Sequence, residues 1–86
     1  MIFQPYLNHV EIKPIELKGA LDVEDTRYLE MGEILSVYEG CTAFKVGDII
    51  CFENMVHTRI PKYGDEPERH VVQITERGVN GKYETN

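Results

Sequence analysis

The sequence is poor in cysteine and in long apolar runs. Its two cysteines, Cys41 and Cys51, are too few for a disulfide scaffold and lack the spacing of metal ligands. No apolar run approaches the roughly 20 residues that a membrane-spanning helix needs, and none follows a charged start as in a signal peptide. These absences predict a reduced, cytoplasmic protein with no membrane partner.

Basic side chains are also scarce. The chain has 9 of them against 15 acidic side chains, a formal net charge of −6. Nucleic acids and anionic lipid surfaces attract basic proteins, so both classes of partner are disfavoured. Six acidic residues lie between positions 22 and 39, where a solvated surface is the simplest interpretation.

No catalytic or metal-binding motif is present. His9, His57 and His70 are the only histidines, and none stands at metal-ligand spacing from another histidine or a cysteine. The sequence also lacks a glycine-rich phosphate loop and a nucleophile elbow. We therefore expect no enzyme activity, no metal and no cofactor, with surface or packing roles for the histidines. An enzyme would require all three to converge in one pocket.

The chain of 86 residues has room for one domain, residues 1–86, and not for a second core. Its 42% of hydrophobic residues is typical of a chain that folds. A domain of this size buries only about 60 to 70% of the surface of its unfolded chain, so self-association is an attractive way to bury more.

Short apolar stretches between prolines and glycines predict an all-β domain, a small barrel or sandwich. The first strand is expected over 7–13, bracketed by Pro5 and Pro14 because proline has no N–H to donate. The other strands are expected over 33–38, 49–53, 70–75 and within 76–84, with turns at Gly78 and Gly81 and short extended pieces over 54–68. The stretch 49–53 is the most apolar and is expected in the core.

Residues 16–26 lack any periodicity, which predicts a long loop between the first two main strands. A short helix that begins at Asp22 or Asp25 and ends at Gly32 is the alternative. Both interpretations stay open at this point.

A turn is predicted at 44–48, before the apolar stretch. Gly47 permits a turn geometry that side chains obstruct, and Asp48 can accept hydrogen bonds from nearby backbone N–H groups. Ile50 and Phe52 should then share one face of the strand, because successive side chains alternate. Cys51 is expected to act as a small buried hydrophobic residue and not as a reactive thiol.

Three segments in order carry a family resemblance: residues 4–14 (QPYLNHVEIKP), 32–40 (GEILSVYEG) and 44–52 (FKVGDIICF). They resemble the GroES family of co-chaperonins, which continues from its first strand to Gly-Glu-Val-Leu-x-Val-Gly-x-Gly and then to Lys-Val-Gly-Asp-x-Val-x-Phe. Residues 71–74 and 76–84 are similar to the last two strands of that family. The resemblance spans nearly the whole chain and implies a small GroES-like β-barrel.

The same resemblance implies a function. In the family, a loop between the first two strand segments docks on a chaperonin ring that hydrolyses ATP. Residues 16–29 occupy this place, and the docking patch corresponds to Gly19, Ala20, Leu21 and Val23. Packing of Leu21 and Val23 on the barrel is the alternative.

The resemblance further implies a homo-oligomer, a heptameric ring closed by pairing of the first and last strands of neighbouring subunits. The matching residues are Ile2, Phe3 and Pro5 at the start, and Val79, Lys82 and Tyr83 at the end. For Phe3 and Tyr83 the alternative is a role in covering the core of their own chain.

The chain departs from the common bacterial pattern in two places. Its loop is shorter and lacks the usual aliphatic triplet, and residues 40–44 replace the hairpin that forms the roof of the family's dome. Tyr38 stands where the family usually has glycine. Reduced chains of this kind resemble virus-encoded co-chaperonins. An assembly or binding module of the same fold without chaperonin contact, for example in a viral particle, is therefore the alternative function.

Overall fold

The computed structural model describes residues 3–16, 29–75 and 78–84. The strands are β1 (His9–Ile15), β2 (Leu29–Val37), β3 (Ile49–Glu53), β4 (His57–Ile60), β5 (Arg69–Gln73) and β6 (Val79–Tyr83). A 3₁₀ turn, Asn54–Val56, joins β3 to β4. The strands form one antiparallel sheet in the order β4-β5-β1-β2-β3-β6, which confirms the prediction of an all-β fold. The described residues include no helix with the length and apolar character to cross a membrane.

Alternate residues of the central strands build the core on one face of the sheet. Six side chains there are at most 2% exposed: Val10, Ile12, Ile34, Ile50, Phe52 and Val72. The Phe52 ring in β3 meets the His57 ring in β4 edge-on, with 5.8 Å between their centroids. Since β3 and β4 are not neighbours in the sheet, this contact requires the sheet to curve around its apolar face.

Strand β1 lies two residues further along than the sequence predicted. The chain turns at Asn8, which has a positive φ of 65°, and the His9 N–H donates to the Tyr6 carbonyl at 2.9 Å. Pro14 does not end the strand, as predicted, but pairs with Gly32 inside it. The β1–β5 ladder ends at Ile12, so Pro14 needs no N–H on that side.

Strand β2 begins four residues earlier than predicted, at Leu29. Gly32 is a buried position within it, and a Cβ placed there would lie 2.6 Å from Ile12 Cδ1. The alternative helix that ends at Gly32 is therefore wrong over 29–32. The rest of that helix, and all but Glu16 of the loop predicted over residues 16–26, fall outside the described residues.

The turn before β3 and the bounds of β3 are as predicted. Gly47 has a φ of 97°, and the buried Asp48 carboxylate accepts a hydrogen bond from the Lys45 N–H at 3.1 Å. Ile50 and Phe52 share the core face. Residues 38–48, all of them described, contain no strand.

The last strands differ from prediction in detail. The predicted extended piece within 54–68 is β4, and β5 covers 69–73 in place of 70–75. The turn at Gly78 is present, closed by a hydrogen bond from its N–H to Thr75 Oγ1 at 2.8 Å. The turn predicted at Gly81 is wrong, because Gly81 pairs with Cys51 inside β6.

Candidate functional site

Two of the three histidines meet at one end of the core. In the antiparallel register of β4 and β5, His57 lies opposite Val72 and His70 lies opposite Arg59. Positions 70 and 72 face the same side of β5, so the two rings occupy diagonal positions on one face. His57 Nε2 and His70 Nδ1 are 2.9 Å apart, within hydrogen-bond distance.

A carboxylate stands at each outer end of the pair. Glu30 of β2 accepts from His57 Nδ1, with its two oxygens 3.1 and 3.2 Å away. His70 Nε2 lies 3.6 Å from a Glu68 oxygen, and that oxygen is 2.8 Å from Arg59 Nε. We call Glu30, His57, His70 and Glu68 the histidine chain.

The histidine chain is partly shielded from water. The imidazole side chains are 13% exposed at His57 and 20% at His70, and Phe52 covers one side of His57. Adjacent imidazoles and carboxylates can hold and pass protons. Among residues 3–16, 29–75 and 78–84, no group of three or more His, Cys, Asp or Glu side chains is arranged to hold a metal ion.

The third histidine lies elsewhere. His9 Nδ1 is 3.0 Å from the Leu7 carbonyl, and its side chain borders a groove of about 340 Å³ between the N-terminal segment and β4. The three histidines therefore do not converge in one pocket. Sequence reasoning missed the pairing of His57 and His70. The sequence signal for this pairing is that extended pieces flank the Pro61 to Pro67 segment, as the two strands of a hairpin do.

The groove is mostly apolar and includes two of the predicted interface residues. It is lined by Phe3, Gln4, Pro5, Tyr6, His9, Thr58, Ile60 and Val71. Pro5 is buried, while the half-buried Phe3 lies over the Arg69 guanidinium, 4.9 Å from its ring centre. Phe3 and Pro5 thus lie beside the β4 edge of the sheet.

A buried ion pair holds Arg69 beneath Phe3. Glu11 is only 7% exposed, and its Oε2 accepts from Arg69 Nη1 at 2.9 Å. Its other oxygen accepts from the Ser36 hydroxyl at 3.1 Å. The pair joins β1 to β5 on the face opposite the core.

The other predicted interface residues lie on β6, at the opposite edge of the sheet. Val79 packs against the core and Tyr83 is exposed. Lys82 Nζ donates to the Ala43 carbonyl at 2.6 Å and to Glu84 at 3.1 Å. Ile2 falls outside the described residues.

The predicted docking residues Gly19, Ala20, Leu21 and Val23 also fall outside the described residues. The strands that flank them are described. β1 and β2 are neighbours in the sheet, with Ile15 opposite Met31. Both ends of the connecting segment therefore leave the sheet at the same place, beside Glu30 of the histidine chain.

The two cysteines have different surroundings. Cys51 is half-buried and not buried as predicted, and desolvation raises the pKa of its thiol. A hydrogen bond with Cys41 raises the pKa of the Tyr38 hydroxyl, in a turn where Gly40 has a φ of 88°.

Comparison of the chain with models of known protein families, with curated proteins and with solved structures finds no match.

Proposed function

We propose that the chain is a GroES-like β-barrel subunit of a ring that caps a chaperonin and assists folding of enclosed proteins, without chemistry of its own. The observation that carries the proposal is the placement of the three resembling segments. They fall on β1, on β2, and on the turn into β3, which are consecutive neighbours in the sheet. Within them, Gly32 stands where a Cβ would meet Ile12, and the Asp48 carboxylate accepts a hydrogen bond from the Lys45 N–H.

The positions of the predicted interface residues support assembly into a ring. Phe3 and Pro5 lie beside β4, and Val79 to Tyr83 form β6, so the two sets belong to opposite edges of the sheet. Within the part of the chain that the structure describes, neither edge carries a further strand. A surface at one edge that binds a surface at the other gives head-to-tail contacts, which close into a ring when the rotation is right.

Docking through the segment between β1 and β2 is the second part of the proposal. Leu21 and Val23 are its apolar contacts with the chaperonin. Each contact is weak, and a ring presents several copies at once. Linked contacts of this kind exceed the affinity of one by about 10² to 10⁴.

The test is co-sedimentation with a chaperonin ring in the presence of nucleotide. The native chain is compared with Leu21→Asp and with Val46→Asp, which places the same charge on an exposed aliphatic residue at the opposite end of β2. We expect the native chain and Val46→Asp to co-sediment and Leu21→Asp to remain in the supernatant. Equal binding of Leu21→Asp contradicts the docking residues, and failure of the native chain contradicts the co-chaperonin function.

The native mass of the protein tests the ring separately. We expect an assembly of seven copies, as the family resemblance implies, that dissociates when Tyr83, an exposed side chain on β6, is replaced by Asp. A monomer at micromolar concentration contradicts ring assembly.

A binding or assembly module of the same fold, without chaperonin contact, is the second candidate. The groove of about 340 Å³ beside β4 favours it, because an open apolar surface of this kind suits a protein partner. A ring of the expected mass that does not co-sediment with a chaperonin is the result that this candidate predicts.

A further inference from the structure

Every ring nitrogen of His57 and His70 lies near a specific polar partner, which packing of two rings alone does not require. Each imidazole uses one nitrogen for the other ring and turns its second nitrogen toward a carboxylate. We propose that Glu30 determines which ring nitrogens of the histidine chain carry protons. The histidine chain is then a binding site for one added proton, at His70 Nε2.

The argument begins at Glu30, because an ionised carboxylate only accepts hydrogen bonds. At 3.1 Å, His57 Nδ1 must therefore carry a proton and donate it to Glu30. A neutral imidazole has one N–H, so His57 Nε2 is left with a lone pair. That lone pair faces His70 Nδ1 at 2.9 Å, and His70 must donate there. Both neutral rings are thus held as the Nδ1–H tautomer.

This order leaves one free position for a proton. When both rings are neutral, His70 Nε2 has a lone pair and lies 3.6 Å from a Glu68 oxygen. A proton added at this nitrogen breaks no hydrogen bond already in the chain. It places a positive charge on His70 at ion-pair distance, 3.6 Å, from the Glu68 carboxylate.

A second added proton has no such place. Its only position is His57 Nε2, which would then present an N–H to the N–H of His70 across 2.9 Å. The bond between the rings would be lost, and two positive rings would be in contact. The geometry therefore allows one proton and opposes the next.

The groups around the rings fit this assignment. On the described elements that contact the pair, the charged neighbours are Glu30 from β2, Glu68 before β5 and Arg59 from β4, which reaches the pair through Glu68. β3 contributes the Phe52 ring, and β1 places Ile12 opposite His70. Both direct charged partners are thus carboxylates, one at each end.

The histidine chain links the start of β2 to the hairpin of β4 and β5. When it takes up the added proton, its charge changes at the Glu68 end. Glu30 is the second residue of β2, whereas the added proton lies at the other end of the histidine chain, near Glu68. An effect on chaperonin docking rests on the proposed function. The tautomers and the proton position do not.

Nitrogen-15 NMR of the imidazole rings in the native assembly tests the inference. At a pH where histidine is ordinarily neutral, about 8.5, we expect protonated Nδ1 and unprotonated Nε2 resonances for both His57 and His70. This is the reverse of the tautomer that free histidine favours. Acidification should then move His70 Nε2 to the protonated position before His57 Nε2. An Nε2–H tautomer at His57, or first protonation at His57, overturns the inference.

Two matched variants identify the carboxylate that sets the order. Glu30→Met removes the acceptor, and we expect the Nδ1 and Nε2 signals of His57 to shift toward averaged values. Glu68→Met removes the far carboxylate and should leave both neutral tautomers unchanged. His9, which is remote from the chain, is the internal reference. Equal effects of the two variants on His57 contradict the role of Glu30. None of these readouts uses a chaperonin, so failure here is distinguishable from failure of the proposed function.

Discussion

The side chain of Ile12 in β1 lies directly over Gly32 in β2. A Cβ at position 32 would stand 2.6 Å from Ile12 Cδ1 and 3.0 Å from Ile12 Cβ. The close approach comes next to the irregularity in β1 between Glu11 and Ile12, where the register with β2 shifts. Glycine at this position therefore lets the two central strands approach while Ile12 stays in the core.

Replacing Gly32 with alanine should destabilise the fold by about 1 to 3 kcal/mol, the usual cost of forcing extra atoms into a packed core. The measurement is the midpoint of denaturant unfolding. Gly81→Ala is the control, because Gly81 also lies in a strand and nothing lies within 4 Å of its added Cβ. We expect the control to change stability by no more than about 0.5 kcal/mol. Equal effects would contradict the close packing of β1 on β2.

The two arginine–glutamate pairs of β4 and β5 should differ in their importance. Arg69 is 19% exposed and binds the buried Glu11, whereas Arg59 is 70% exposed and binds Glu68. Arg69→Met leaves the Glu11 carboxylate buried with only the Ser36 hydroxyl as its described partner, at a cost of about 3 kcal/mol. Arg59→Met should cost less than about 1 kcal/mol. Thermal unfolding of both variants compares them, and the opposite ranking would contradict the buried position of the pair.

Cys51 should react slowly with a thiol reagent. Burial raises the pKa of its thiol, so at a given pH less of it is the reactive thiolate than in an unfolded chain. In a Cys41→Ser background, the alkylation rate of the folded protein should reach half its maximum at a higher pH than that of the denatured protein. Coincident pH profiles would show that the thiol is not desolvated.

The bounds of β3 and its turn were predictable because each depends on short-range chemistry. Gly47 and Asp48 determine the turn locally, and the alternation of Ile50 and Phe52 determines which face is buried. Glycine and proline misled the prediction elsewhere, because their effect depends on neighbouring strands. Pro14 is tolerated inside β1 because the pairing of β1 with β5 does not extend beyond Ile12. Gly32 lies inside β2 because Ile12 covers it.

The histidine chain depends on contacts that no local pattern contains. His57 and His70 meet through the register of the β4–β5 hairpin, and Glu30 reaches His57 because the curved sheet brings β2 near β4. Without knowledge of register and curvature, three separate histidines and scattered acidic residues indicate only surface positions. A hairpin across the Pro61 to Pro67 segment would place His57 and His70 on paired strands, but only the observed register brings their rings together on one face.

The adjacency of β1 and β2 also has a mechanical meaning. A pull on the segment between them, directed along the strands, draws both strands outward together. They must then slide past β5, paired with β1 from His9 to Ile12, and past β3, paired with β2 from Leu29 to Glu33. Hydrogen bonds in antiparallel ladders lie perpendicular to the strands, so such a load acts on the bonds of each ladder in shear and at the same time. The domain is thereby suited to transmit tension from this segment without unzipping bond by bond.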